Sequence, residues 1–348
     1  MKPISTPAPA ELGYRMPAEW APHQATWISW PHNPETWPGV LAAAEDAMAR
    51  AVQALAGGET VRINVLDPVH EAHVRARLGG VAQTPAVVFH HFPTNDAWCR
   101  DHGAIFVRDD AGRLAAVDCG FNAWGGKYPP WDLDDAIPAR MAAALGVPRF
   151  TGGLILEGGS IDLNGAGTLL TTEQCLLNPN RNPALSRTDV EEHLKLLFGV
   201  RQLLWLGDGI IGDDTDGHID DITRFVAEDT VVTVVEPDRD DPNHEPLAAN
   251  LARLRGMRLH DGRPLRVIEL PMPTPVELDG RRLPASYANF YIGNEVVLLP
   301  VFGRRTDEAA RRILADCFPG RRVVPIRANE LVVGLGAFHC LTQQVPTA

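Results

Sequence analysis

The chain has 348 residues, 45% of them hydrophobic and 22% charged, with a formal net charge of −12. That is long enough for two ordinary domains or one large closed or repeat-type domain, and too apolar for disorder. The acidic balance excludes a nucleic-acid surface, which needs a basic face, and is compatible with a cationic substrate.

Residues 1–12 hold one lysine and no apolar run, which excludes a secretory signal; a flexible N-terminal extension is expected there. No stretch of about 18 apolar residues follows, so no membrane association is expected. The first helix is predicted over 40–56 (VLAAAEDAMARAVQALA), ending at Gly57-Gly58. Strands are predicted at VRINVL, AVVFHHF and AIFV, with a weaker helical pattern at 135–146. GTLLTT is the next strand, followed by a helix in SRTDVEEHLKLLFG with Thr188 and Glu191 as a capping box and Gly199 as its stop. TVVTVVE, a weaker helix at 246–256, LRVIEL, EVVLLP, a helix from Thr306 to Gly320 and RVVPI complete the pattern. The later helices start roughly 50 to 60 residues apart, separated by about three strands, which suggests a radial repeat. One domain over 1–348, built of about five α/β units, is expected. No GxGxxG or P-loop follows a strand, so no nucleotide cofactor is expected. The five cysteines are dispersed and none lies in CxxC, which predicts reduced thiols and a cytoplasmic protein.

Four segments could carry chemistry. GDDTDGHIDD (212–221) places one histidine among five aspartates, which repel each other unless a cation joins them. A calcium loop centred on Gly217 fails, because Gly212 and Thr223 would fall at ligand positions. Zinc would accept His218 and Asp220, two apart on an extended segment, but no third ligand is visible nearby, so no metal is expected. In NDAWCRDHGAIFV, Asp96 and Asp101 bracket Trp98 and Arg100; the plain alternative is a turn with Arg100 paired to an aspartate. Glu157 follows an apolar strand and precedes Gly158-Gly159, where a lone carboxylate needs a partner. NGAG reads as a hairpin turn, and Arg181 as a structural ion-pair former. In GLGAFHCLTQQVP, Cys340, Thr342 and Gln344 share a face if the run is extended. A single cysteine is usually just a small buried hydrophobe, yet glycines around it give a nucleophile access. Carboxylates raise a neighbouring thiol's pKa, which suits attack only if the substrate brings the positive charge. A guanidinium does so, and its planar fork matches carboxylates bidentately.

WAPHQATWISWPHNPETWPG, NDAWCRDHGAIFV, GFNAWGG, the LEGGS-to-RNP block, DTDGHIDD, ASYANFYI and the terminal HCLTQQVP together resemble the agmatine deiminase family, also described as bacterial-type peptidylarginine deiminases. The resemblance runs in order from about residue 13 to 346. It implies the fold of the guanidine-modifying superfamily, a five-bladed α/β propeller of ββαβ-like repeats around a central active site. It implies Cys340 as nucleophile, His218 as general acid and base, Glu157 as its orienting partner and a contact to a guanidinium nitrogen, and Asp96 and Asp220 as clamps on the guanidinium. Trp98 and Trp124 would wall the pocket, and a main-chain group or Asp214 would meet the substrate's distal amine. The implied reaction turns agmatine into N-carbamoylputrescine and ammonia, a step toward putrescine, with no cofactor and no metal. Terminal or peptidyl arginine is the alternative substrate, and a silent guanidine- or polyamine-binding protein the alternative class. Where plant-like and enterococcal-like agmatine enzymes tend to read DETNGHVDN and GGGNIHC, this chain reads DDTDGHIDD and GLGAFHC, which puts the substrate tail in question. A homodimer is expected from base rates alone.

Overall fold

The computed structural model describes residues 3–348. Its architecture is mixed α/β, and one recipe recurs in five sheets: two antiparallel strands, then a helix, then a third strand parallel to the second. Ile105–Arg108 and Leu114–Gly120 pair antiparallel, the helix Ile137–Leu145 follows, and Arg149–Ile155 adds in parallel. The same order runs through Asp162–Leu163, Thr168–Thr172 and Gln202–Leu206, with helix Arg187–Phe198. Thr223–Ala227, Thr230–Val235 and Arg266–Pro271 repeat it with helix His244–Gly256, as do Tyr291–Ile292, Val296–Val301 and Arg322–Arg327 with helix Asp307–Cys317. In the remaining sheet the antiparallel partner comes from the far end of the chain: Thr342–Pro346 pairs with His23–Ser29, and Thr60–Val65 and Val87–His91 add in parallel. The helices are there because a parallel return cannot be made by a tight turn and needs a crossover.

The middle strands are covered on both faces. Thr168–Thr172 is buried at every position and Thr230–Val235 at all but the last, which is why they are built of β-branched and leucine residues, with threonine the polar member, and show no alternation of charged and apolar positions. The helix Leu41–Leu55 buries Ala44, Met48, Ala51, Val52 and Leu55 on one stripe. Among the described residues no helix is long and apolar enough to cross a membrane.

Several expectations need correction. The capping box of helix Arg187–Phe198 is formed by Ser186 and Asp189, one turn-start earlier than Thr188 and Glu191; the Ser186 hydroxyl accepts the Asp189 N–H at 3.2 Å, and Asp189 accepts the Ser186 N–H at 2.8 Å. A helix over Pro68–Leu78 has no strong apolar periodicity, since only Val74 and Leu78 are buried; it is fixed instead by Pro68 at its start and the Asp67 cap on the His70 N–H. Residues 4–12 are not a detached tail: the Ser5 N–H donates to the Thr151 carbonyl at 3.0 Å, Ile4 packs on a core cluster, and Pro9–Leu12 is a 3-10 turn.

Candidate active site

Four loops converge at the ends of these strands. In the first, Cys99–His102 makes one helical turn, and Asp101 points out of it: Oδ2 accepts the Trp124 indole N–H and Oδ1 the Gly159 N–H, both at 2.9 Å. The second is the 3-10 turn Gly158–Ser160, entered from Glu157. A Cβ on Gly158 would lie 2.2 Å from the Arg100 carbonyl oxygen. A Cβ on Gly159 would lie 2.7 Å from His218 Nδ1, 2.8 Å from Asp101 Oδ1 and 3.1 Å from Asp220 Oδ2, so three functional groups close on one α-carbon.

The third loop carries the acidic run. His218 and Asp220 do not sit on an extended segment as expected; Ile219–Asp221 is a 3-10 turn, and both side chains are fully buried. Most of the acids there already have partners within the protein. Asp213 braces the loop by accepting the Gly217 and His218 N–H groups at 3.0 and 3.1 Å. Asp216, in a left-handed backbone conformation, accepts from Arg181 at 2.5 Å, Asn180 at 2.9 Å and Lys127 at 2.9 Å. Asp214 is held by Tyr128 at 2.5 Å and by Lys127 at 3.2 Å. Asp221 accepts from Asn289 at 3.0 Å. Asp220 accepts from His339 at 2.7 Å through one oxygen, while its other oxygen has no partner.

The fourth loop places Cys340 in the helical turn Phe338–Leu341, which feeds strand Thr342–Pro346. Cys340 and Thr342 therefore do not share a strand face. Gly336 is needed because a Cβ there would stand 2.5 Å from the Trp98 ring and 3.2 Å from Cys340 Sγ. Asn289 gathers this loop: its Oδ1 accepts the N–H groups of Ala337, His339 and Cys340 at 3.2, 3.1 and 3.3 Å, and its Nδ2 donates to Cys340 Sγ at 3.0 Å. The thiol lies 3.5 Å from Asp220 Oδ2.

A cleft of about 1150 Å³ opens onto this floor, and Asp96, Trp98, Asp101, Trp124, Asp214 and Cys340 are all on its wall. Glu157, His218 and Asp220 lie fully buried directly behind that wall. Asp96 is set by the Thr36 hydroxyl at 2.5 Å and the Ala97 N–H at 2.8 Å. Glu157 Oε1 is taken by Arg181 Nε at 2.7 Å, in a pair with both side chains at 0% exposure. Its Oε2 faces His218 Nε2 at 4.0 Å, and neither atom has a hydrogen-bond partner.

The electrostatics follow from burial among acids. Burial pushes the Cys340 thiol well above its ordinary pKa, and Asp220, Asp221 and Asp101 push it further. Burial opposes a charge on His218, but the carboxylate of Asp101, 3.8 Å away, with Cys175 and Asp220, outweighs it and raises the imidazole well above its usual value. Burial also raises Asp96 and Asp101. For Asp220 burial is overcome by the His339 hydrogen bond and the nearby charges, so it stays below the carboxylate range. The arrangement holds a neutral thiol, a proton-bearing imidazole and negative charge on a cleft floor.

Sequence reasoning missed three participants. Asp101 was assigned as a candidate ion-pair partner of Arg100, but Arg100 pairs with Glu19 and Gln344 instead. Asn289 sits in the quoted ASYANFYI with no local signal of its role. Cys175, in the turn Glu173–Leu176, reads as one more apolar residue, yet its sulfur belongs with Glu157 and His218 to a buried trio whose donor atoms lie within 4.8 Å of one another.

The family described as Porphyromonas-type peptidyl-arginine deiminase matches residues 15–346. An agmatine deiminase of Stutzerimonas stutzeri (strain A1501) is 40% identical, over 98% of each chain. Among solved structures, an agmatine deiminase of Enterococcus faecalis matches with a TM-score of 0.93 at 33% identity, covering 100% of both chains. An agmatine deiminase of C. jejuni with substrate bound matches with a TM-score of 0.87 at 32% identity, over 95% of this chain and 96% of that one. With its family matched almost end to end and its fold shared over the same length, the chain belongs to the Porphyromonas-type peptidyl-arginine deiminase family.

Proposed function

We propose that the protein is an agmatine deiminase, hydrolysing the guanidino group of agmatine to N-carbamoylputrescine and ammonia. The observation that carries this reading is the thiol of Cys340 on a cleft floor surrounded by carboxylates, an environment that holds it neutral until a cation arrives. The relatives named above act in its support, being agmatine deiminases over their whole length.

In this mechanism Asp96 and Asp220 grip the guanidinium edges, and the incoming positive charge offsets the acids that raise the thiol. Cys340 gives up its proton to solvent, and its sulfur bonds to the guanidino carbon. His218, protonated because Asp101 and its neighbours hold it so, donates to the departing nitrogen, and ammonia leaves as the C–N bond breaks. The neutral imidazole then takes a proton from water; the oxygen adds to the carbon, the C–S bond breaks, the remaining hydroxyl proton is lost as the ureido carbonyl forms, and the neutral product departs as the sulfur is reprotonated to the resting thiol. Glu157, fixed by Arg181, closes its 4.0 Å gap to His218 as the site tightens on substrate. Trp98 and Trp124 line the cleft with Cys340 and would pack against the planar guanidinium.

The five like sheets, and the pairing of Thr342–Pro346 with His23–Ser29 that brings the two ends of the chain into one of them, support a five-bladed propeller forming one catalytic unit. The free state of all five cysteines fits a cytoplasmic setting. One observation favours an arginyl substrate as a second reading: Asp214, the acid expected to meet the aminobutyl amine, is already held by Lys127 and Tyr128. Release of ammonia and ureido product from agmatine, free arginine and a blocked arginyl peptide, with EDTA present, tests both. Turnover of agmatine alone supports the first reading; turnover of the arginine compounds alone keeps the chemistry and moves the substrate; silence on all three defeats both.

A further inference from the structure

We propose that Glu157, Cys175 and His218 form a coordination site for a thiophilic divalent cation, zinc in the first place, whose occupancy silences the enzyme by removing His218 from proton transfer. The effect on activity rests on the deiminase reading; the binding does not.

The donor set is one thiol, one imidazole and one carboxylate, the classes that zinc takes in three-ligand sites with a fourth position left to water. All three residues are fully buried, and their donor atoms lie within 4.8 Å of one another. Three of the atoms involved, His218 Nδ1, His218 Nε2 and Glu157 Oε2, are buried with no hydrogen-bond partner, which is costly unless something else fills the need. The Nε2-to-Oε2 separation is 4.0 Å. Tetrahedral zinc asks for donors about 3.3–3.6 Å apart, so this pair closes by roughly half an ångström and the widest separation in the set, at most 4.8 Å, by about 1.2–1.5 Å, within the reach of side-chain rotation.

The surroundings also suit a metal. Arg181 occupies Glu157 Oε1 and leaves Oε2 free, the kind of outer partner that orients a ligating carboxylate. Thr172 ties the two halves of the site together: its hydroxyl accepts the Cys175 N–H at 3.2 Å and donates to the Gly217 carbonyl at 2.6 Å, beside His218. Asp101 and Asp220 add negative charge next to the imidazole, which offsets the second positive charge of the ion. Entry is through the cleft, where Asp101 stands on the wall 3.8 Å from His218. On binding, the six-coordinate hydrated cation keeps one water and sheds the other waters as three protein bonds form and the coordination falls to four, Cys175 releases its thiol proton to solvent, and His218 releases its second ring proton. Nothing is oxidised or reduced. With its lone pair on the metal, His218 can neither protonate ammonia nor deprotonate water.

The test uses the full chain stripped of metal with EDTA and then dialysed free of it. Cobalt(II) is titrated in, and thiolate-to-cobalt charge transfer in the near ultraviolet is recorded for wild type, Cys175→Ser and Cys340→Ala. The band is expected in wild type and in Cys340→Ala, and lost in Cys175→Ser. In parallel, zinc inhibition of turnover, referred to each protein's own zinc-free rate, is expected to weaken at least tenfold in Cys175→Ser, the lower end of what disturbing a metal's partners costs. Absence of a band in wild type, its persistence in Cys175→Ser, or its loss in Cys340→Ala would overturn the site, the last by placing the metal on the nucleophile. Because the spectrum needs no substrate, a chain that binds cobalt as described but turns over nothing would fail the deiminase reading and leave the site standing. If Cys175→Ser does not fold, the Cys340→Ala spectrum decides, since it leaves every proposed ligand in place.

Discussion

Replacing Gly159 by alanine adds one methyl group, and the structure dictates where that group goes. The new Cβ would fall 2.7 Å from His218 Nδ1 and 2.8 Å from Asp101 Oδ1. Ordinary contact begins at about 3.5 Å, so each neighbour must retreat by about 0.7–0.8 Å. The backbone at this glycine is not in the left-handed region, so the whole effect is steric and is aimed at His218, Asp101 and Asp220. Overpacking of this kind costs about 1–3 kcal/mol of stability. A displacement near 1 Å at a reacting group costs about 10²-fold in rate. The expected result is a folded protein with a modestly lower denaturation midpoint and kcat/KM for agmatine reduced about a hundredfold, measured by ammonia release beside urea unfolding of the same preparation. The comparison variant is Gly80→Ala, where a Cβ meets nothing within 4 Å, and no change in rate is expected. Wild-type kcat/KM in Gly159→Ala would refute the convergence of His218, Asp101 and Asp220 on that α-carbon.

Cys340→Ala is expected to abolish turnover while calorimetry still detects agmatine binding; retained turnover would remove the sulfur from the mechanism. Asp96→Ala and Asp220→Ala should each lose several kcal/mol of transition-state positioning with the thiol intact, read as kcat/KM; wild-type values in both would dispose of the clamp. Arg181→Met leaves Glu157 as a buried carboxylate without its cation and should destabilise the fold by about 3–5 kcal/mol in chemical denaturation, whereas an unchanged midpoint would show the pair to be idle. Since burial and the three aspartates raise the Cys340 thiol, the free enzyme should hold it protonated at neutral pH and become alkylated by iodoacetamide faster as pH rises. A bound guanidinium lowers that pKa by opposing the same acids, so thiolate absorbance should grow on adding guanidinium ion at fixed pH; no growth would contradict the electrostatic account.

The strands that could be read from the sequence are those buried on both faces, where valine and leucine dominate, as in Thr230–Val235 and Val296–Val301. Thr342–Pro346 was harder, because Thr342, Gln343 and Gln344 are polar residues buried against other polar groups, and Gln344 is spoken for by Arg100. Cys340, His218 and Glu157 were legible as chemistry because each stands next to glycines or acids that no packing argument explains. Asp101 and Asn289 were not: their work depends on partners more than fifty residues away, Gly159 for one and the Cys340 loop for the other. Periodicity reports neighbours on one element, and these contacts join different sheets. Asp214 shows the opposite failure, since a sequence displays the acid and hides Lys127 across the loop.

The pairing of Thr342–Pro346 with His23–Ser29 bears on how the protein is made. During synthesis the earlier strand leaves the ribosome long before the later one exists, so for most of that time it presents an unpaired edge. Cys340, the proposed nucleophile, sits in the turn immediately before the late strand. No partly made chain therefore owns a seated sulfur, however well its other sheets have formed. The loop that carries Cys340 is completed in one late step, when Thr342–Pro346 pairs with His23–Ser29.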